Sequence, residues 1–253
     1  MPTMTVWLVG TVLEIALLVR GYQAKLVRQF PIFYSYLLFV TANDFLRIAV
    51  YRWSPNHYFQ VFWITQFLGL AIGSGVIFEI YRVALRSFPG TARMARYILF
   101  VVFGAVFART IASRSGDLIS WLASSSLLLE RNLRIVQALA ILTLVTLFAW
   151  YAIPFGRNLK GILIGYSLFV GLSIAQYMLW LYQWDLIKSA WQNAEGVSYL
   201  LVLGIWVRML WAFQPVSATE RDLRLESDYN VIVASTRDQF RRTLARLGWA
   251  ARA

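Results

Sequence analysis

Seven apolar runs alternate with short polar connections along the chain, at about 4–19, 30–51, 58–82, 97–113, 130–153, 161–182 and 196–213. The stretch from Tyr58 to Phe78 carries no charge. At about 1.5 Å per residue it is long enough to cross a hydrocarbon core of roughly 30 Å. Each run is punctuated by helix signals. Pro31 sits at a helix start, where its missing N–H costs nothing; Trp53-Ser54-Pro55-Asn56 makes a tight turn; Pro89-Gly90, Pro154 with Gly156, and Pro215 mark stops. The pattern predicts an all-α, polytopic bundle of seven transmembrane helices over residues 1–215. A polar tail over 216–253 follows, with a basic amphipathic helix at about 236–249 carrying Phe240, Leu244 and Leu247 beside Arg237, Arg241, Arg242 and Arg246. In the first run the bases Arg20, Lys25 and Arg28 come after the apolar core, the reverse of a signal peptide, so it is expected to be retained. The piece from Arg114 to Leu129, rich in serine, is too polar and short for a span and is expected to lie on the membrane surface.

Composition narrows the class. Of 253 residues 59% are apolar and 14% charged, against roughly 25% charged in a soluble domain. The 17 Phe, 13 Tyr and 11 Trp suit ring-rich ends at headgroup level. There is no cysteine, so disulfides, thiolates and cysteine-held metals are excluded; a single His57 leaves little for a histidine metal site or a catalytic base. Neither metal nor cofactor is expected. The net charge of +12 reflects membrane orientation rather than nucleic-acid binding. Sixteen of the 24 bases fall in the connections after runs 1, 3 and 5 and in the tail, which places the N-terminus outside and the C-terminus in the cytoplasm. Lack of cysteine and richness in arginine suit a bacterial inner membrane.

Charged and amide residues within the runs are costly and point to function or to internal pairing. Measured from the outer helix ends, Asp44, Arg47, Gln66, Arg109, Arg134, Gln137 and Gln176 share one layer, roughly 6–12 Å deep, with Glu130 at its rim. Three arginines in this layer suggest a chamber for a small anionic or zwitterionic ligand, such as a carboxylate, a phosphate or a lipid headgroup. Trp53, Tyr58, Phe62, Trp63, Trp180, Tyr182 and Trp184 are candidates for its apolar walls. On the other side Glu14 and Arg208 lie at similar depth. First and last helices of a closed ring are neighbours, so a Glu14–Arg208 ion pair is expected, with Glu79 the competing acid beside Arg82. Gly69, Gly73 and Gly75 make the third run narrow and suit a central helix.

The topology resembles that of retinal proteins and G-protein-coupled receptors, but Lys25, Lys160 and Lys188 all lie outside the runs, which excludes a Schiff-base pigment. Glu79-Ile80-Tyr81-Arg82 resembles the receptors' acid–arginine lock with different spacing, and the Asn-Pro-x-x-Tyr pattern is missing from 196–215. Through topology and the charged helix start Glu130-Arg131-Asn132-Leu133-Arg134, the chain is also similar to the seven-helix sensor portions of bacterial signalling proteins. Those usually continue into a kinase or cyclase, for which a tail of this length is too short. A sensor would then need a separate cytoplasmic protein partner, at Arg82–Arg96 and the basic tail. No nucleophile, base and metal set marks an enzyme. The alternatives are a small-solute or proton-coupled transporter, with Glu14, Asp44 and Glu79 as proton carriers, and a structural or assembly subunit.

Overall fold

The computed structural model describes residues 2–86, 88–112, 118–150 and 156–211, together with positions 231, 234, 235 and 238. The tail helix expected at 236–249 therefore lies, apart from Asp238, outside the described residues. The described chain is helical throughout: α1 (Pro2–Gln23), α2 (Leu26–Gln29), α3 (Pro31–Trp53), a 3₁₀ turn (Pro55–His57), α4 (Tyr58–Ala84), α5 (Pro89–Ala112), α6 (Leu118–Trp150) and α7 (Arg157–Leu210). Five stretches are long and apolar enough to cross a membrane: Met4–Gln23, Pro55–Ala84, Pro89–Ala112, Leu128–Trp150 and Arg157–Gln176. Five such helices fit a multi-pass membrane protein. Many of their large apolar side chains, such as Leu8, Val12, Phe100, Val101 and Leu142, are exposed, as lipid-facing positions should be.

Consecutive long helices run antiparallel. Trp7 meets Phe45, Glu14 meets Thr41 and Gly21 meets Tyr34 between α1 and α3. Ile32 faces Gly75, Tyr36 faces Gly73 and Phe39 faces Gly69 between α3 and α4. Because the glycines have no side chain, Tyr36 and Phe39 lie directly against the α4 backbone. α4 is the central helix, packed against α3, α5, α6 and α7. The Tyr81 hydroxyl donates to the Ala140 carbonyl at 2.7 Å and ties it to α6; the Tyr166 hydroxyl donates to the Gly73 carbonyl at 2.6 Å and ties it to α7.

Two elements differ from the sequence expectation. Residues 118–129 are the opening turns of α6, with Trp121, Leu122 and Leu129 buried, not a separate surface segment. No glycine or proline interrupts the chain from Leu118 to Trp150, so the helix continues through the serines. The second difference is α7, one helical stretch of 54 residues where two helices are expected. Straight, it would measure about 81 Å at the rise of an α-helix. Its ends instead lie side by side: Asn158 Nδ2 donates to the Met209 carbonyl at 3.2 Å, Gly161 faces Met209 and Gly165 faces Trp206. A methyl on Gly165 would overlap the indole, so only glycine admits Trp206 there. The stretch is therefore a hairpin with arms at 157–176 and 196–210. The second arm runs parallel to α1, pairing Gly196 with Val6, Leu200 with Gly10, and the Trp211 carbonyl with Arg20 Nε at 2.7 Å.

Glu79 explains how α3 begins. Pro31 has no N–H, and the next two first-turn donors have no partner within the helix. The Glu79 carboxylate supplies both: Ile32 N–H donates to Oε1 at 2.9 Å and Phe33 N–H to Oε2 at 2.7 Å, while Arg82 pairs with Oε1 at 3.1 Å. An acid from α4 thus caps α3 across the helix interface, where the helix dipole also favours negative charge.

Candidate functional site

The polar stripe of each helix follows from helical spacing. On α3, Tyr36, Val40, Asn43, Asp44 and Arg47 recur every three or four residues; on α4, Gln66, Gly69, Leu70 and Gly73 do so; on α6, Glu130 and Arg134; on α7, Phe169, Ser173 and Gln176. The four stripes meet around one cavity of about 250 Å³, completed by Phe39 and Thr65.

Its charged groups form a chain across three helices. Arg47 donates to Thr65 Oγ1 at 3.1 Å from Nη2 and to Gln66 Oε1 at 3.3 Å, and its guanidinium lies over the Phe62 ring at 4.4 Å. With the Asn43 amide oriented to suit both neighbours, its oxygen accepts from Arg47 Nε at 3.0 Å and its nitrogen donates to Thr65 at 3.0 Å. Gln66 Nε2 donates to Glu130 Oε2 at 3.3 Å, and Glu130 Oε1 pairs with Arg134 Nη2 at 3.3 Å. Arg134 is 7% exposed, donates from Nη1 to Gln137 Oε1 at 3.1 Å, and lies 4.6 Å over the Phe169 ring. Its Nε–H is buried with no acceptor.

The expected layer is thus partly assembled. Asp44, Arg47, Gln66, Glu130, Arg134 and Gln176 surround the cavity. Gln137 is buried one turn below Arg134 and holds it without lining the space. Arg109 is exposed on α5, which contributes nothing to the cavity; similar depth on a helix does not imply the same face. The aromatic walls also differ. Tyr36, Phe39 and Phe169 line the cavity, whereas Trp53, Tyr58, Phe62 and Trp63 do not, and the side chains of Trp180, Tyr182 and Trp184 lie outside the described residues. Asn43, Thr65 and Ser173 were not singled out from the sequence. A stripe count along each helix would have found Asn43 and Ser173, one turn from Arg47 and Gln176.

The expected Glu14–Arg208 ion pair is absent. Glu14, 1% exposed, accepts from the Thr41 hydroxyl at 2.8 Å and from the Tyr199 hydroxyl at 2.6 Å. α1 and the last arm of α7 are neighbours as anticipated, but in their register Glu14 lies level with about Gly204. Arg208 is one turn further on the same exposed face as Gly204, and its carbonyl accepts from Arg157 Nη2 at 3.3 Å. Nor is Glu79 the competing partner of Arg208: its oxygens cap α3, and its only ion pair among the described residues is with Arg82.

Comparison of the chain with family models, with curated proteins and with solved structures gives no match in any of the three.

Proposed function

We propose that this chain is a seven-span sensor of the cell membrane, in a bacterial inner membrane, with its N-terminus outside and its C-terminus cytoplasmic. In this reading the cavity between α3, α4, α6 and α7 binds a small anionic or zwitterionic ligand, and the response passes to a separate cytoplasmic protein. The observation that carries it is the cavity itself: charged and amide side chains from four helices line one space, where lipid-facing positions would expel them. α3, at 23 residues, is about 34 Å long, and its Asp44 and Arg47 turn toward the cavity; with it and the second arm of α7 the spans number seven. α4 offers the path for a signal. It lines the cavity at Thr65–Gly73 and ends in Arg82 and Arg86, which with Arg93 and Arg96 form an exposed basic face at the other end of the bundle.

A proton-coupled carrier is the second reading, favoured by Glu14. This buried acid is held by hydroxyls with no cation partner among the described residues, and Thr41, which binds it, is one turn from Asp44.

Thermal unfolding of the detergent-solubilised chain against small anions, amino acids and lipids tests binding. A ligand at a hundred times its Kd adds about 2.7 kcal/mol, and Arg134→Ala should abolish that gain. Flux of the bound compound into liposomes would favour the carrier; binding without flux would favour the sensor. Orientation is open to a direct test because the chain has no cysteine. A cysteine replacing exposed Asn56 should react with an impermeant thiol reagent from outside, and one replacing exposed Gln23 only after the membrane is opened.

A further inference from the structure

We infer that Glu14 is a proton-binding site: a neutral carboxylic acid whose one proton joins α1 to α3 at its junction with the second arm of α7. The assignment depends neither on transport nor on what the cavity binds, since no residue of α1 lines that space. Glu14 stands near the middle of the Met4–Gln23 span and is 1% exposed.

The grounds are a count of protons. Three short oxygen–oxygen contacts meet at this junction: the Tyr199 hydroxyl to Glu14 Oε1 at 2.6 Å, Thr41 Oγ1 to Glu14 Oε2 at 2.8 Å, and Thr41 Oγ1 to the Leu37 carbonyl at 2.9 Å. Each contact is of hydrogen-bond length and calls for a proton between its oxygens. Tyr199 and Thr41 bring one each, and an ionised carboxylate brings none. In the ionised form both hydroxyls donate to Glu14, and the Thr41–Leu37 contact sets one lone pair against another. A proton on Oε2 supplies what is missing. The chain of hydrogen bonds then runs one way: Tyr199 donates to Oε1, the Oε2–H donates to Thr41 Oγ1, and Thr41 donates to the Leu37 carbonyl. The 2.6 Å contact does not require a charge, because Tyr166 stands at the same distance from the uncharged Gly73 carbonyl.

The surroundings select the same state. α3 presents Thr41, with Asp44 one turn on and Tyr36 within electrostatic range, and α7 presents Tyr199. Neither ion pair among the described residues involves Glu14. An unpaired carboxylate is costly inside an apolar span, whereas a neutral acid with both oxygens hydrogen-bonded is not. The proton is thus a ligand of the helix junction. Its release charges the contact that docks the second arm of α7 against α1, with a second acid, Asp44, nearby.

The test is infrared spectroscopy of the full chain in lipid at neutral pH, with isotope-labelled glutamate to separate glutamic from aspartic carboxyls. The expected result is the carbonyl stretch of an un-ionised glutamic acid, lost in Glu14→Gln. Tyr199→Phe removes the donor to Oε1 and should move that band to higher frequency without removing it. A parent spectrum with no such band would overturn the inference, because Glu14 would then be ionised. A band that persists in a folded Glu14→Gln variant would also overturn it, by placing the proton on another glutamate. Should Glu14→Gln fail to fold, Tyr199→Phe decides: a band that does not move belongs elsewhere, and the assignment falls. None of these readings involves a cavity ligand, so failure of ligand binding and failure of the proton site are distinguished.

Discussion

The two ends of α4 bury charge to opposite effect. Near its C-terminal end, Glu79 is saturated: one oxygen takes the Ile32 N–H, the other the Phe33 N–H, and Arg82 adds the neutralising charge. Near its N-terminal end, the network of Arg47, Gln66, Glu130 and Arg134 surrounds open space and stops short of completion, with the Arg134 Nε–H unused. Both regions pair an acid inside an apolar bundle with an arginine, half exposed at Arg82 and buried at Arg134, so residue type does not separate them. What separates a structural charge from a binding charge here is whether its hydrogen-bonding capacity is exhausted within the protein.

The largest effect expected from that contrast is at Glu79. Glu79→Ala leaves two buried first-turn N–H groups without acceptors and should cost about 3–5 kcal/mol of stability in thermal or denaturant unfolding. Glu79→Gln, which keeps one oxygen, should cost roughly half as much. An Ala variant as stable as the parent would remove the cap from the account. Next comes the cavity pair. Arg134→Ala alone should cost about 2 kcal/mol, because Glu130 loses its counter-charge while remaining partly exposed. The double variant Glu130→Gln with Arg134→Gln should return to within about 1 kcal/mol of the parent while losing ligand binding; a double variant as unstable as the single would make this pair as structural as Glu79. Tyr166→Phe deletes one buried hydrogen bond to the Gly73 carbonyl and should cost about 1 kcal/mol, with ligand affinity changed by less than about twofold. The smallest effects belong to the exposed arginines. Arg109→Ala and Arg208→Ala should each stay within about 0.5 kcal/mol of the parent in unfolding, and neither should change ligand affinity; loss of binding in Arg109→Ala would return that residue to the site.

Hydropathy made the helices legible because each apolar run had to be long and its polar punctuation short. It misread residues 118–129 because serine-rich sequence looks like surface, although serine and threonine hydroxyls can be satisfied on their own helix, as Ser74 is by the Leu70 carbonyl and Ser173 by the Phe169 carbonyl. Of the site, the sequence showed depth but not direction. Asp44, Arg47, Gln66, Glu130, Arg134 and Gln176 were found because their helices turn those positions toward one another. Arg109 shares their depth and not their face. The role of Glu79 was illegible because its partners are backbone N–H groups, which have no signature in side-chain identity. Glu14 was placed at the right interface and given the wrong partner, since helix neighbours can be guessed from ring closure but rotation about each axis cannot.

The pairing of Glu14 with Tyr199 also sets an order of assembly. Thr41 follows Glu14 by 27 positions, but Tyr199 follows it by 185. At about 5–20 residues per second, the first helix waits roughly 10–40 s in the bilayer with its acid half satisfied, until the last arm of the hairpin docks parallel to it. α1 is thus completed by an arm made much later. A nascent chain arrested before Tyr199 displays a distinguishing mark of immaturity, a polar group inside the membrane that only a finished molecule conceals.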